Sequence, residues 1–133
     1  MIYSRTTNLV TITVTPFYAE DFSNPDENRF IWSYFVKITN NSDSVVQLIS
    51  RHWIITDAIG RTQEVRGPGV IGYQPVLFPG ESHEYDSAVD LRTESGFMEG
   101  SYLMQCVDQS RKFFEAKVPS FALDTPYVTQ VLN

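Results

Sequence analysis

The stretch Phe30-Ile31-Trp32-Ser33-Tyr34-Phe35-Val36-Lys37-Ile38 decides the fold. Phe30, Trp32, Tyr34, Val36 and Ile38 occupy alternate positions, with Ser33 and Lys37 between them. A period of two puts those five side chains on one face of a strand, whereas a helix would scatter them around its circumference. The segment before it reads the same way. From Leu9 to Tyr18, Val10, Ile12 and Val14 alternate with Thr11, Thr13 and Thr15, and Pro16 falls late, where a strand end or edge tolerates a missing donor. Between the two strands, Glu20 to Asn28 is an acidic loop marked by Asn24-Pro25-Asp26.

The same reading extends towards the C-terminus. Asn40-Asn41-Ser42-Asp43-Ser44 is a turn cluster, and the glycosylation sequon it spells is coincidental without a secretory signal. Val45 to Asp57 is a second long strand. Its apolar parity changes from Val46 and Leu48 to Ile49, Trp53 and Ile55, which one extra residue in a β-bulge would produce. Thr62 to Arg66 returns as a short strand. Pro79-Gly80 fits the centre of a type II turn, and Ser82 to Val89 follows as a polar, exposed strand. Tyr102, Met104 and Cys106 share a face, and Phe114, Ala116 and Val118 form the last strong strand before Pro119. About seven strands without a helix imply an all-β, antiparallel sandwich of the immunoglobulin or fibronectin type III kind. Tyr102, entering a late strand after a Gly-rich corner, is a candidate tyrosine corner; the plainer alternative is a core tyrosine with a satisfied hydroxyl.

Bulk properties exclude several function classes. A chain of 133 residues is one domain by length, and with 42% hydrophobic and 14% aromatic residues it has ample apolar surface for a core. A net charge of −6, with no basic cluster, argues against nucleic acid or an anionic membrane as partner. Cys106 is the single cysteine, so no intrachain disulfide can form and a reducing compartment fits. Met1 to Asn8 leads into no long apolar run, so a soluble, cytoplasmic protein is expected.

The pattern with the most functional content is Arg66-Gly67-Pro68-Gly69-Val70-Ile71-Gly72-Tyr73-Gln74-Pro75. Gly67, Gly69 and Gly72 have the spacing of a phosphate-cradling dinucleotide turn. That motif needs a helix opening after its third glycine; Tyr73-Gln74-Pro75 and Pro79 forbid one, and no βαβ unit surrounds it. Two readings remain. The glycines can permit positive φ in a broad loop across one end of the sandwich. Alternatively, their amides can form an anion nest, with Arg66 or Arg61 supplying charge. His52 and His83 show no metal-ligand spacing, Cys106 packs as a small hydrophobe, and no nucleophile elbow is present.

Several linked motifs resemble the ApaG domain signature. They are Arg51-His52-Trp53-Ile54-Ile55-Thr56-Asp57, the loop from Glu64 to Pro75, and Leu77-Phe78-Pro79-Gly80-Glu81-Ser82. Gly96-x-Met98-x-Gly100-x-Tyr102-x-Met104 and Pro119-x-Phe121-x-Leu123-x-x-Pro126 agree as well. Ile71, where a valine is usual, and Pro68, at a variable position, are mild departures. The resemblance runs from Tyr3 to Tyr127, which implies one domain over 3–127 and a C-terminal tail over 128–133. It also implies a fibronectin type III-like sandwich, a stand-alone bacterial protein, and a gene that often neighbours a diadenosine-tetraphosphate hydrolase. The family is linked to cobalt tolerance and magnesium efflux. Similar domains in eukaryotic F-box and polymerase-interacting proteins look like protein-interaction modules.

The function expected is therefore a non-enzymatic binding module for an unidentified protein partner, with no cofactor, catalytic residue or bound metal. The candidate loop comprises Arg66, Gly67, Gly69, Val70, Gly72, Tyr73 and Gln74, of which Val70, Tyr73 and Gln74 are read as exposed. A small-anion or nucleotide-polyphosphate site in the Gly67–Gly72 loop is the alternative. A metal-linked role through carboxylates or His83, and a homodimer formed through an exposed strand edge, are further options.

Overall fold

Val36 and Ile38 have no exposed surface, and Phe30, Trp32 and Tyr34 are buried beside them, so the alternating pattern delivers the inward face it implies. The structure is a computed structural model that describes residues 1–108 and 110–127; the tail expected over 128–133 lies outside the described residues. In chain order the strands are β1 (Tyr3–Thr7), β2 (Val10–Tyr18), β3 (Phe30–Asn40), β4 (Val46–Asp57) and β5 (Thr62–Pro68). They continue as β6 (Val76–Leu77), β7 (Ser82–Leu91), β8 (Ser95–Cys106) and β9 (Phe113–Asp124). Two three-residue 3-10 turns, Glu20–Phe22 and Pro25–Glu27, occupy the acidic loop. Among the described residues no helix is long and apolar enough to cross a membrane.

The strands form two antiparallel sheets, one ordered β1-β2-β3-β7 and the other β5-β4-β8-β9, with β6 also paired to β4. Val14 faces Val36 in the β2–β3 register, and Tyr85 faces Val36 on the other side, so one row of β-branched and aromatic side chains crosses the first sheet. The second sheet contributes Leu48, Trp53, Ile55, Met98, Tyr102 and Met104 to the same core. Trp53 is its centre, with Tyr34, Tyr102 and Phe121 each edge-on to it at centroid distances of 5.5, 6.0 and 6.1 Å.

Several details differ from the sequence reading, and each has a local cause. β1 is an added strand, too polar to announce itself, that folds back on β2 through Asn8 and Leu9, both at positive φ. β6 is an added strand only two residues long. β9 does not stop before Pro119. Met98 pairs with Phe121 and Gly100 with Val118, so an extra residue in β9 bulges near Pro119, where a missing N–H costs no ladder bond. The Ser82–Val89 segment is polar on one face only, because Tyr85 and Val89 are buried. Tyr102 forms no tyrosine corner: its hydroxyl hydrogen-bonds to that of Tyr85 across the sandwich, the core-tyrosine alternative.

Asn40 is the buried polar joint at one end of the sandwich. It has no exposed surface, and its Nδ2 donates to the carbonyls of Ser44 (2.7 Å) and Leu77 (3.0 Å). Its Oδ1 accepts from the amide and the hydroxyl of Ser42. The amide and carbonyl of Asn40 bond Glu81 and Gly80, so one residue ties β3, β6 and two turns together. Asn40→Asp keeps the shape but turns an acceptor towards two carbonyls; denaturant titration is expected to show a loss of about 3 kcal/mol or more.

Burial holds the phenols of Tyr34, Tyr85 and Tyr102 above their ordinary value. An unfolded chain would release those protons from about pH 10 upward while the folded chain keeps them, so stability falls as pH rises above about 10. Unfolding free energy is expected to be insensitive to these groups at pH 7–9 and to decline beyond about pH 10. Absorbance of phenolate at alkaline pH should show these tyrosines ionising together with unfolding.

Candidate functional site

The candidate loop is an excursion from an edge strand. β5 pairs with β4 from Thr62 opposite Thr56 to Pro68 opposite Ser50. The chain then leaves the sheet at Gly69 and resumes pairing where Leu48 N–H meets the Pro75 carbonyl at 3.0 Å, followed by Val76 and Leu77 against Gln47 and Val46. The residues between Pro68 and Pro75 stand opposite Ile49 alone. Ile49 is the β-bulge foreseen from the parity change, since the register with β8 shifts between Leu48 and Ser50.

Its carbonyl, released from the ladder, accepts from Gly69 N–H (2.8 Å) and from Gln74 Nε2 (2.9 Å). Gln47 Nε2 donates to the Gln74 carbonyl at 3.1 Å. At the tip, Val70 and Tyr73 exchange N–H···O bonds of 2.7 and 2.9 Å around Ile71 and Gly72, whose φ angles are +46° and +78°. Positive φ at both central positions is the type I′ hairpin turn.

Each glycine of the motif has a structural task here. Gly69 lies at φ +58°, and a Cβ there would overlap the Tyr73 carbonyl oxygen. Gly72 needs only the left-handed conformation, with open space around it. Gly67 lets the Arg51 guanidinium lie against the backbone, since an added Cβ would sit 3.0 Å from Nη1. That Nη1 donates to the carbonyls of Gly69 (2.9 Å) and Pro68 (3.3 Å). The amides of Gly69, Val70 and Tyr73 are therefore engaged within the protein. Arg66 is exposed, and its Nε meets Glu64 at 3.2 Å. His52 Nε2 reaches the same Glu64 oxygen at 3.2 Å, and those two partners, His52 first, hold the Glu64 carboxyl below its ordinary value.

The loop exposes several apolar side chains. Ile71 and Tyr73 are 60% and 67% exposed at its tip, with exposed Val76 and Phe78 on the return. Val70 corrects the expectation of an exposed residue: it is 1% exposed and joins the core, because the bulge draws the start of the loop inward. Gln74 is exposed, but its amide anchors the loop. Beyond β6, Glu81 N–H bonds the Phe78 carbonyl (2.9 Å) with Gly80 at φ +87°, and the Glu81 carboxylate caps Phe78 N–H at 2.8 Å. The expected Pro79-Gly80 turn is thus in place.

Other residues weighed from the sequence lie apart. His83 sits beside Tyr85, and half-buried Cys106 packs against the core. Among the described residues no three His, Cys, Asp or Glu side chains gather as a metal set. Arg51 was missed as a distinct residue. The signal was available: past the bulge, position 51 falls in phase with Trp53 and Ile55 and so points between the sheets.

The two loop glycines at positive φ should respond differently to substitution. Gly72→Ala meets only backbone strain and is expected to cost about 1–2 kcal/mol. Gly69→Ala adds a clash with Tyr73 and should cost more than about 3 kcal/mol, read by thermal and denaturant unfolding.

With that geometry in place, comparison with known proteins gives the family. The family model of the ApaG domain matches residues 20–106. Protein ApaG of Paramagnetospirillum magneticum is 50% identical over 132 residues, covering 99% of this chain and all of that one. Protein ApaG of Brucella canis is 51% identical with the same coverage. The crystal structure of a Bordetella pertussis protein, described as a putative ApaA protein, superposes with a TM-score of 0.84 at 43% identity, covering 89% of this chain and 94% of that one. The fold is the β-sandwich of those relatives, and this chain belongs to the ApaG domain family.

Proposed function

We propose that this protein is a non-enzymatic interaction module that takes a protein partner on the ridge of Ile71, Tyr73, Val76 and Phe78. The observation that carries the reading is Ile71: a β-branched residue held at φ +46° with its side chain 60% exposed. A β-branched residue in that region is a genuine outlier, and such strain gathers at functional positions. Glycine or asparagine at position 71 would relieve it, so what isoleucine adds is an apolar side chain offered to solvent.

The surroundings support the same reading. The loop is fixed by the Ile49 carbonyl, by Gln47 and by Arg51, so its apolar groups are presented with little ordering left for a partner to impose. Aromatic anchors such as Tyr73 and Phe78 suit the centre of an interface. On this reading, a part in divalent-cation homeostasis runs through the partner rather than through a metal held by this chain.

A photo-crosslinking residue placed at position 73, compared with one at exposed Phe113, tests the assignment in cells. A discrete protein adduct is expected at position 73 and absent at 113, and Ile71→Asp/Tyr73→Ala should abolish capture with little change in melting temperature. An adduct with a second copy of the chain would identify the partner as itself. Equal adducts at both positions, or unchanged capture by the double variant, would remove the ridge from the account.

A further inference from the structure

The sandwich is open on the side where β5 and β7 are the edge strands of their sheets. A cleft of roughly 210 Å³ enters there, with Arg51, Trp53 and Val65 on the wall of the second sheet and Tyr34, Ser87 and Val89 on the other. The Ile49 bulge brings Arg51 into this space: without it, position 51 would face outward. Its Nη1 is engaged by the loop carbonyls. Among the described residues its Nε and Nη2 have no hydrogen-bond partner, and no carboxylate lies within 4 Å of it. The Nε–Nη2 edge is one of the two forks by which a guanidinium holds a carboxylate or phosphate with paired bonds.

The remaining walls are part apolar and part polar. Trp53, Val65 and Val89 are hydrophobic, while the Ser87 and Tyr34 hydroxyls and the Gln63 side chain supply polar contacts. Asp90, at the cleft margin, is held by Arg29 at 3.1 Å, which offsets its repulsion of an anion. An apolar cavity of about 150 Å³ is known to hold benzene, so roughly 210 Å³ accommodates an aromatic ring bearing a small charged group. We propose that this inter-sheet cleft binds a small aromatic anion, its ring against Trp53 and its oxygens on the Arg51 fork. The site is separate from the amides of the glycine loop and from the exposed ridge, and it does not rest on the protein-partner reading.

Titration of the full chain with phenyl phosphate, benzoate and inorganic phosphate, followed by amide NMR shifts and tryptophan fluorescence, tests this. At least one aryl anion should bind about tenfold or more tighter than inorganic phosphate, since only it buries a ring. Which aryl anion binds tighter tells phosphate from carboxylate. Shifts should centre on residues 51–53, 63–65 and 87–90. Ser87→Leu fills the cleft from the opposite sheet without touching the loop bonds and should weaken binding about tenfold or more. Arg51→Lys keeps the charge but loses the fork and should do likewise. No saturable binding by about 10 mM, an inorganic phosphate as tight as the aryl anions, or shifts centred elsewhere would overturn the proposal. The wild-type shift map decides the matter even if a variant fails to fold.

Discussion

The carbonyl of Ile49 accepts two hydrogen bonds from the loop opposite it, and most of what is distinctive in this molecule follows from its being free to do so. A regular strand would keep that oxygen in the ladder with β8. The extra residue turns it out of the ladder, and a backbone acceptor so placed must find partners. Gly69 and Gln74 supply them. The same residue reverses the facing of everything after it in β4, which puts Trp53 at the core's centre and Arg51 between the sheets. Loop anchor, core packing and inward arginine are thus three results of one inserted position.

Strain and anchoring in the loop can be set against each other. Holding Ile71 left-handed costs about 1–2 kcal/mol. The bonds among Ile49, Gln47, Gln74, Val70 and Tyr73 contribute about 1 kcal/mol each, and burying Val70 adds roughly 1.5–3 kcal/mol. The anchor exceeds the strain, so the turn persists without a partner. Beneath it, the Trp53 cluster and the Tyr85–Tyr102 bond join the two sheets. The loop therefore projects from a stiff base, which is where recognition loops are usually found.

Much of this was legible in the residues. Strict alternation gave β2 and β3 because one face is buried and the other wet, and the parity change in β4 disclosed the bulge before its role was known. Pro79-Gly80 declared its turn through backbone chemistry alone. What escaped notice was set by contacts distant in sequence. Tyr3 to Thr7 is a strand because β2 offers an edge to pair with, and nothing in its own pattern says so. Val70 reads as a surface residue until the bulge pulls it inward. Tyr102 suggested a corner, but its hydroxyl finds Tyr85 on the other sheet instead. The glycine spacing was visible from the outset, yet a close approach at Gly67, a clash avoided at Gly69 and a turn at Gly72 explain it with no ligand at all.

The interruption between β5 and β6 also shortens an exposed sheet edge. An uninterrupted strand from Thr62 to Leu77 would present a long row of unpaired amides and carbonyls along one flank of the sandwich, a template on which another chain could add itself. The excursion at Ile49 divides that flank into a short segment and a two-residue remnant, with a protruding turn between them that obstructs a flat approach. The turn that exposes Ile71 and Tyr73 thus also leaves β5 short as an edge strand.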